Sequence, residues 1–159
     1  MTRIIGIDPG LHVTGWGVID YDGLRLSHVA HGSIVSDSST ELSARLGGIY
    51  RKLHDVLEKT SPDEASIENI FVNGNPFSSL KLGMARGVAI CVTNMMGVKL
   101  FEYAPNAIKK TVVGVGHAFK DQVTTMVQTL LNCNVVKQDA ADALAVAICH
   151  AHHSNPYGT

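Results

Sequence analysis

The sequence predicts an α/β domain built on a mixed sheet, three antiparallel strands followed by parallel additions, with helices flanking it. Three observations lead there. Apolar, β-type runs separated by tight-turn signals fill the first 35 residues, strand-like and helix-like segments alternate from residue 42 onward, and 159 residues suit one domain that buries its own core. Residues 3 to 8, 13 to 20 and 25 to 35 are the strand runs, broken by Pro9-Gly10 and by Asp22-Gly23, a strong hairpin signal. They predict an antiparallel meander. Leu42, Leu46, Ile49, Leu53, Val56 and Leu57 recur at the spacing of one helix face, and that helix ends before Ser61-Pro62. "EASIENIF", 64 to 71, reads as a strand, 78 to 96 as a helix and 97 to 103 as a further strand. Right-handed crossovers place these two strands parallel within the sheet and lay helices over it. Helical patterns at 105 to 112, 119 to 131 and 138 to 153 complete a single domain over residues 1 to 159.

Composition excludes several classes. A hydrophobic fraction of 45% with 17% charged residues is that of a globular protein and leaves no room for a disordered half. No apolar run approaches the ~18 residues of a membrane span, and patterned sequence begins by residue 3, so a cytoplasmic protein without a membrane partner is expected. Cys91, Cys133 and Cys149 are odd in number and unevenly spaced in apolar contexts, which favours buried thiols in a reducing compartment over a disulfide framework. The net charge of −1 gives no general attraction to a polyanion, so any nucleic-acid contact must rest on local basic groups. Lys109, Lys110 and Lys120 form one such group, and Lys81 with Arg86 a looser second; each also fits plain solvated surface.

The carboxylates carry the chemistry. Asp8 ends the otherwise apolar "IIGID", and burying an ionised aspartate is expensive without a partner; Arg3 is the one cation near it in sequence. Glu68 falls near the end of the strand at 64 to 71, so with these two strands adjacent and parallel both acids emerge at one sheet edge, where mixed α/β sheets place their ligand sites. Asp139 and Asp142, three apart in "QDAADALA", share a face in the first turns of the last helix, and the alanines around them let that helix lie close to the sheet. Each acid at a helix start also fits an ordinary N-cap. Converging, the four would raise one another's pKa and require cations. All-oxygen ligands point to magnesium or manganese, and two such ions bridged by carboxylates are a device for attack of water on a phosphodiester, with Asp8 shared between them.

"GIDPG", "IEN.F" at 67 to 71, "SSLKLGMARGVAI" at 78 to 90, "FEYAPNAIKKTVVGVG" at 101 to 116 and "DAADALAVAI" at 139 to 148 closely resemble the RuvC family of Holliday junction resolvases, in matching order over nearly the whole chain. The resemblance implies an RNase H-like fold with a five-stranded mixed sheet. It carries the family's acidic tetrad onto Asp8, Glu68, Asp139 and Asp142 as catalytic and metal-binding residues for two Mg2+, with Mn2+ able to substitute. It implies that Phe71 stacks on bases near the crossover, that Lys109 and Lys120 contact the junction backbone, and that a homodimer acts on a four-way DNA junction beside the family's branch-migration motor.

Some readings stay open from sequence. Phe71 could equally cap the core, and Gly83 with Gly87 could let their helix pack on the sheet or against a second copy. Pro76 and Phe77 have no assigned place, and His150, His152 and His153 read as an exposed helix end. The alternatives to a resolvase are an RNase H-type nuclease on RNA:DNA hybrids and a non-catalytic junction-binding protein. A kinase-like or actin-like phosphotransferase shares the "GIDPG" turn but needs a second domain, for which 159 residues are too few.

Overall fold

The computed structural model describes residues 1–69 and 74–154. Strands β1 (Thr2–Asp8), β2 (Val13–Tyr21) and β3 (Leu26–Val35) form the expected meander, with Asp8 opposite Gly15 and Gly15 opposite Ser33. β4 (Glu64–Glu68) pairs parallel to β1, and β5 (Lys99–Tyr103) parallel to β4, giving the order β3-β2-β1-β4-β5. Strand alternation divides β1 between two cores. Ile5 and Ile7 pack with Ile49, Leu53 and Leu57 of α1 (Leu42–Thr60) and Ala85, Ala89 and Val92 of α2 (Pro76–Met95). Ile4 packs on the opposite side with α3 (Pro105–Val113), α4 (Lys120–Leu131) and α5 (Gln138–His153). Each fully buried leucine or isoleucine of these layers contributes ~1.5–3 kcal/mol.

The close seating of α5 is written in glycines. A Cβ on Gly6 would collide with the Ala143 carbonyl and the Ala147 amide, and one on Gly15 with the Asp139 carbonyl. These contacts are to backbone, which cannot swing away. Eleven of the sixteen α5 residues are buried, because the sheet lies beneath the helix while α3 and α4 cover it.

Four expectations change. β4 ends at Glu68 rather than 71, and residues 70 to 73, Phe71 among them, lie outside the described residues. α2 begins at Pro76, two residues before the expected start, because the Asn75 side chain accepts from the Phe77 and Ser78 amides and proline suits the first helical position. Cys91 is exposed on α2, whereas Cys149 is buried and Cys133 half-buried. His150 is 1% exposed, not part of an open helix end; only His152 and His153 are exposed.

Candidate active site

Asp8 and Glu68 occupy the C-terminal ends of neighbouring parallel strands, one residue beyond the paired Ile7 and Ile67. Alternation turns both toward α5, whose first turns carry Asp139 and Asp142. Asp8, Glu68 and Asp142 line a cleft of about 210 Å³ with Lys109 and Lys120, over an apolar side formed by Pro105, Ile108, Val123 and Ala145. Asp139, half-buried in the first turn of α5, lies close enough to raise the carboxyls of Asp8 and Asp142. The fold thus brings together all four acids singled out in the sequence.

Their electrostatics are those of a crowded acidic centre. Burial first, then the charges of Asp142, Glu68 and Asp139, push the Asp8 carboxyl from 3.8 up to about 7, with Lys120 opposing. Burial and Asp142 raise Glu68 against the pull of Lys109 and Lys120. Burial also raises Asp142, while a hydrogen bond from Gln138 and the nearby Lys120 work the other way. Arg3 does not neutralise Asp8: it sits at the opposite end of β1, where its guanidinium grips Asp20 at 2.8 Å and donates to the Thr60 carbonyl.

The basic residues divide by role. Lys109 lines the cleft, and Lys120, its side chain 75% exposed, stands with Nζ 3.7 Å from Asp142 Oδ2. Lys110 and Lys81 are exposed outside the cleft lining. Arg86 is turned inward: it pairs with Glu102 at 2.6 Å and donates Nε–H to the Glu68 carbonyl, bracing the end of β4. Sequence reasoning missed Gln138, which donates to Asp142 Oδ1 at 2.8 Å and accepts from the Thr124 hydroxyl at 3.3 Å. Its i, i+4 spacing to Asp142 was the available signal. Among the described residues, His54, Asp55 and Glu58 bring possible ligand atoms within 4.8 Å of one another, but these lie along α1, two of them exposed, and read as solvated helix surface.

Known proteins bear on this arrangement directly. The family model described as crossover junction endodeoxyribonuclease RuvC matches residues 4–150. A protein of that name from Cereibacter sphaeroides is 54% identical over 157 residues, covering 98% of this chain and 93% of its own. Its namesake from Bartonella henselae is 49% identical over 152 residues, covering 95% and 90%. Among solved structures, T. thermophilus RuvC in complex with Holliday junction substrate superimposes with a TM-score of 0.91 at 27% identity, covering 98% of this chain and 96% of that one. The yeast mitochondrial Holliday junction resolvase Ydc2, at 14% identity and a TM-score of 0.65, covers 94% of this chain and 79% of its own, and shares the fold. The fold is RNase H-like, and the chain belongs to the RuvC family of crossover junction endodeoxyribonucleases.

Proposed function

We propose that the protein resolves four-way (Holliday) DNA junctions by paired symmetric nicks in recombination and repair, as a single nuclease domain whose reacting centre is Asp8, Glu68, Asp139 and Asp142. The observation that carries this reading is the convergence of these acids from two strand ends and one helix beside Lys109 and Lys120. The donor set fits hard divalent cations: it is all oxygen, and the deepest carboxyl, Asp8, has carboxylates as its nearest charged neighbours. We assign Asp8, Glu68, Asp139 and Asp142 as the residues that would hold two magnesium ions. Bound there, such ions activate water and stabilise the leaving oxygen of a phosphodiester, and manganese can take their place.

The protein's own groups do the positioning. β1 and β4 fix Asp8 and Glu68 from below, α5 fixes Asp139 and Asp142 from above, and Gln138 orients the Asp142 carboxylate. Lys120 and Lys109 supply positive charge at the rim, where a phosphate backbone can replace the weak Lys120–Asp142 contact. Lys110 and Lys81 extend that field, and Arg86 supports it by holding the end of β4. Phe71 is proposed to stack on bases near the crossover.

A junction with two-fold symmetry needs two centres for two nicks, which favours a homodimer. Support comes from α2: Gly83 and Gly87 face open space away from the sheet, and Phe77, Leu80 and Met95 are 77%, 59% and 68% exposed along the same helix. Within the cytoplasm the dimer would work beside a branch-migration motor. No helix among the described residues is long and apolar enough to cross a membrane.

The test is cleavage of a synthetic four-way junction beside linear duplex and an RNA:DNA hybrid of the same sequence, with magnesium. Selective junction cutting is expected. Equal cutting of junction and duplex would remove the resolvase reading, preference for the hybrid would favour an RNase H-type activity, and binding without cutting a junction-binding protein.

A further inference from the structure

The far end of α5 holds a polar cluster that the chemistry above does not use. His150, 1% exposed, places Nε2 2.8 Å from Glu64 Oε2 of β4 and Nδ1 2.7 Å from the Tyr103 hydroxyl of β5. A carboxylate only accepts, so Nε2–H donates to Glu64, and the Tyr103 O–H can donate to Nδ1. Phe101 of β5 stacks on the imidazole at 4.3 Å between ring centres. Burying an imidazole costs free energy unless both nitrogens are satisfied, and here two different strands satisfy them.

The placement gives this cluster a geometric consequence. Glu64 and Glu68 are the two ends of β4, about 13 Å apart at ~3.3 Å per residue. Asp142 and His150 lie eight residues apart on α5, about 12 Å at 1.5 Å per residue. The spans match, so α5 runs antiparallel over β4 and meets it at both ends. One meeting, His150 with Glu64, is attractive; the other, Asp142 with Glu68, is repulsive. Between them the helix backbone rests on Gly6, and the Leu144 side chain sits over Gly17 of β2. To that packing the hydrogen bonds of 2.7 and 2.8 Å add a directional constraint along the helix axis, since they weaken steeply on a shift of even one residue's rise, ~1.5 Å.

We propose that His150 is a positioning residue for the acid quartet: by clamping the far end of α5 to Glu64 and Tyr103, it sets the register that holds Asp139 and Asp142 over Asp8 and Glu68 against their mutual repulsion. The clamp rests on the reading of the quartet as a divalent-cation site, and it acts on metal affinity through the helix, without touching metal or DNA.

The test uses Glu64→Ala and Tyr103→Phe, alone and together, since these remove the partners of His150 without emptying the core beneath it. Glu64→Gln is the rescue variant, because its amide oxygen still accepts from Nε2–H. Mn2+ binding to the DNA-free protein is measured by calorimetry beside wild type and Asp8→Asn, and amide exchange at residues 139 to 142 is followed in chelator. Glu64→Ala should weaken Mn2+ binding about 3- to 10-fold, below the ~10–100-fold expected for a group bonded directly to a ligand. The double variant should lose more, exchange in the first turns of α5 should quicken, and Glu64→Gln should restore both. A lowered melting temperature with unchanged Mn2+ affinity and unchanged exchange at 139 to 142 would make the cluster a plain core bond and overturn the proposal. Wild type that binds Mn2+ no better than Asp8→Asn would instead defeat the metal reading, and the metal-free exchange result would then decide the clamp by itself.

Discussion

Replacing Asp8 by asparagine should make the metal-free protein more stable, although it removes a carboxylate proposed for the reacting centre. The wild-type carboxyl stands at about 7 in the folded chain against 3.8 ordinarily, because it is buried among Asp142, Glu68 and Asp139. A folded pKa above the unfolded one means that folding holds this proton more tightly. The cost of ionising Asp8 is therefore absent below pH 3.8, grows between 3.8 and about 7, and is fully present above. At ~1.4 kcal/mol per pH unit, that interval corresponds to on the order of 4 kcal/mol at pH 8. Asparagine keeps the shape and removes the charge, and neutralising Asp8 also relieves its neighbours. For a chain of this size ~1 kcal/mol moves the melting temperature by about 2–4 °C, so a gain of roughly 5 to 15 °C is expected in chelator at pH 8. The gain should shrink toward pH 4, and magnesium or manganese should raise the melting temperature of wild type more than that of Asp8→Asn. An Asp8→Asn variant that melts at or below wild type in chelator at pH 8 would refute the account of a strained acidic centre.

Three further outcomes follow from the same geometry. Glu68→Gln, Asp139→Asn and Asp142→Asn should each abolish cleavage while junction binding, measured in calcium to suppress cutting, stays equal or tightens, since each removes negative charge facing phosphate. Lys109→Ala and Lys120→Ala should each lower the salt dependence of junction binding by roughly one phosphate contact, and unchanged slopes in titrations against salt would make both plain surface. Gly6→Ala should destabilise the fold by about 3 kcal/mol or more in denaturant unfolding, because its new methyl meets α5 backbone that cannot move aside; wild-type stability would contradict the direct seating of α5 on β1.

The strands were the legible part of this fold. Their apolar runs and the Asp22-Gly23 turn are local signals, and the ends of β1 and β4 located Asp8 and Glu68 before any packing was known. The pairing of those ends with α5 was legible because Asp139 and Asp142 recur at helix spacing in an alanine-rich setting. Other features depended on what covers each element. α5 is enclosed by the sheet and by α3 and α4, so a histidine near its end could be buried, and nothing in "CHAHH" distinguishes His150 from His152. The reverse holds for Cys91, which sits in an apolar stretch of α2 yet faces outward. Arg86 looked like part of a basic surface because its partner, Glu102, lies sixteen residues away on a neighbouring strand. The start of α2 turned on a cap: Asn75 and Pro76 together are a helix-start signal, one that the apolar spacing beginning at 78 overshadowed.

The most direct measurement of junction resolution by paired nicks uses a supercoiled plasmid that extrudes a cruciform, incubated with saturating protein and magnesium. One nick relaxes the plasmid and reabsorbs the cruciform, so only two cuts within one encounter yield linear DNA. Linear product accumulating directly, and absent with Asp8→Asn, is the predicted result. Predominantly nicked circles at the same protein concentration would contradict the account.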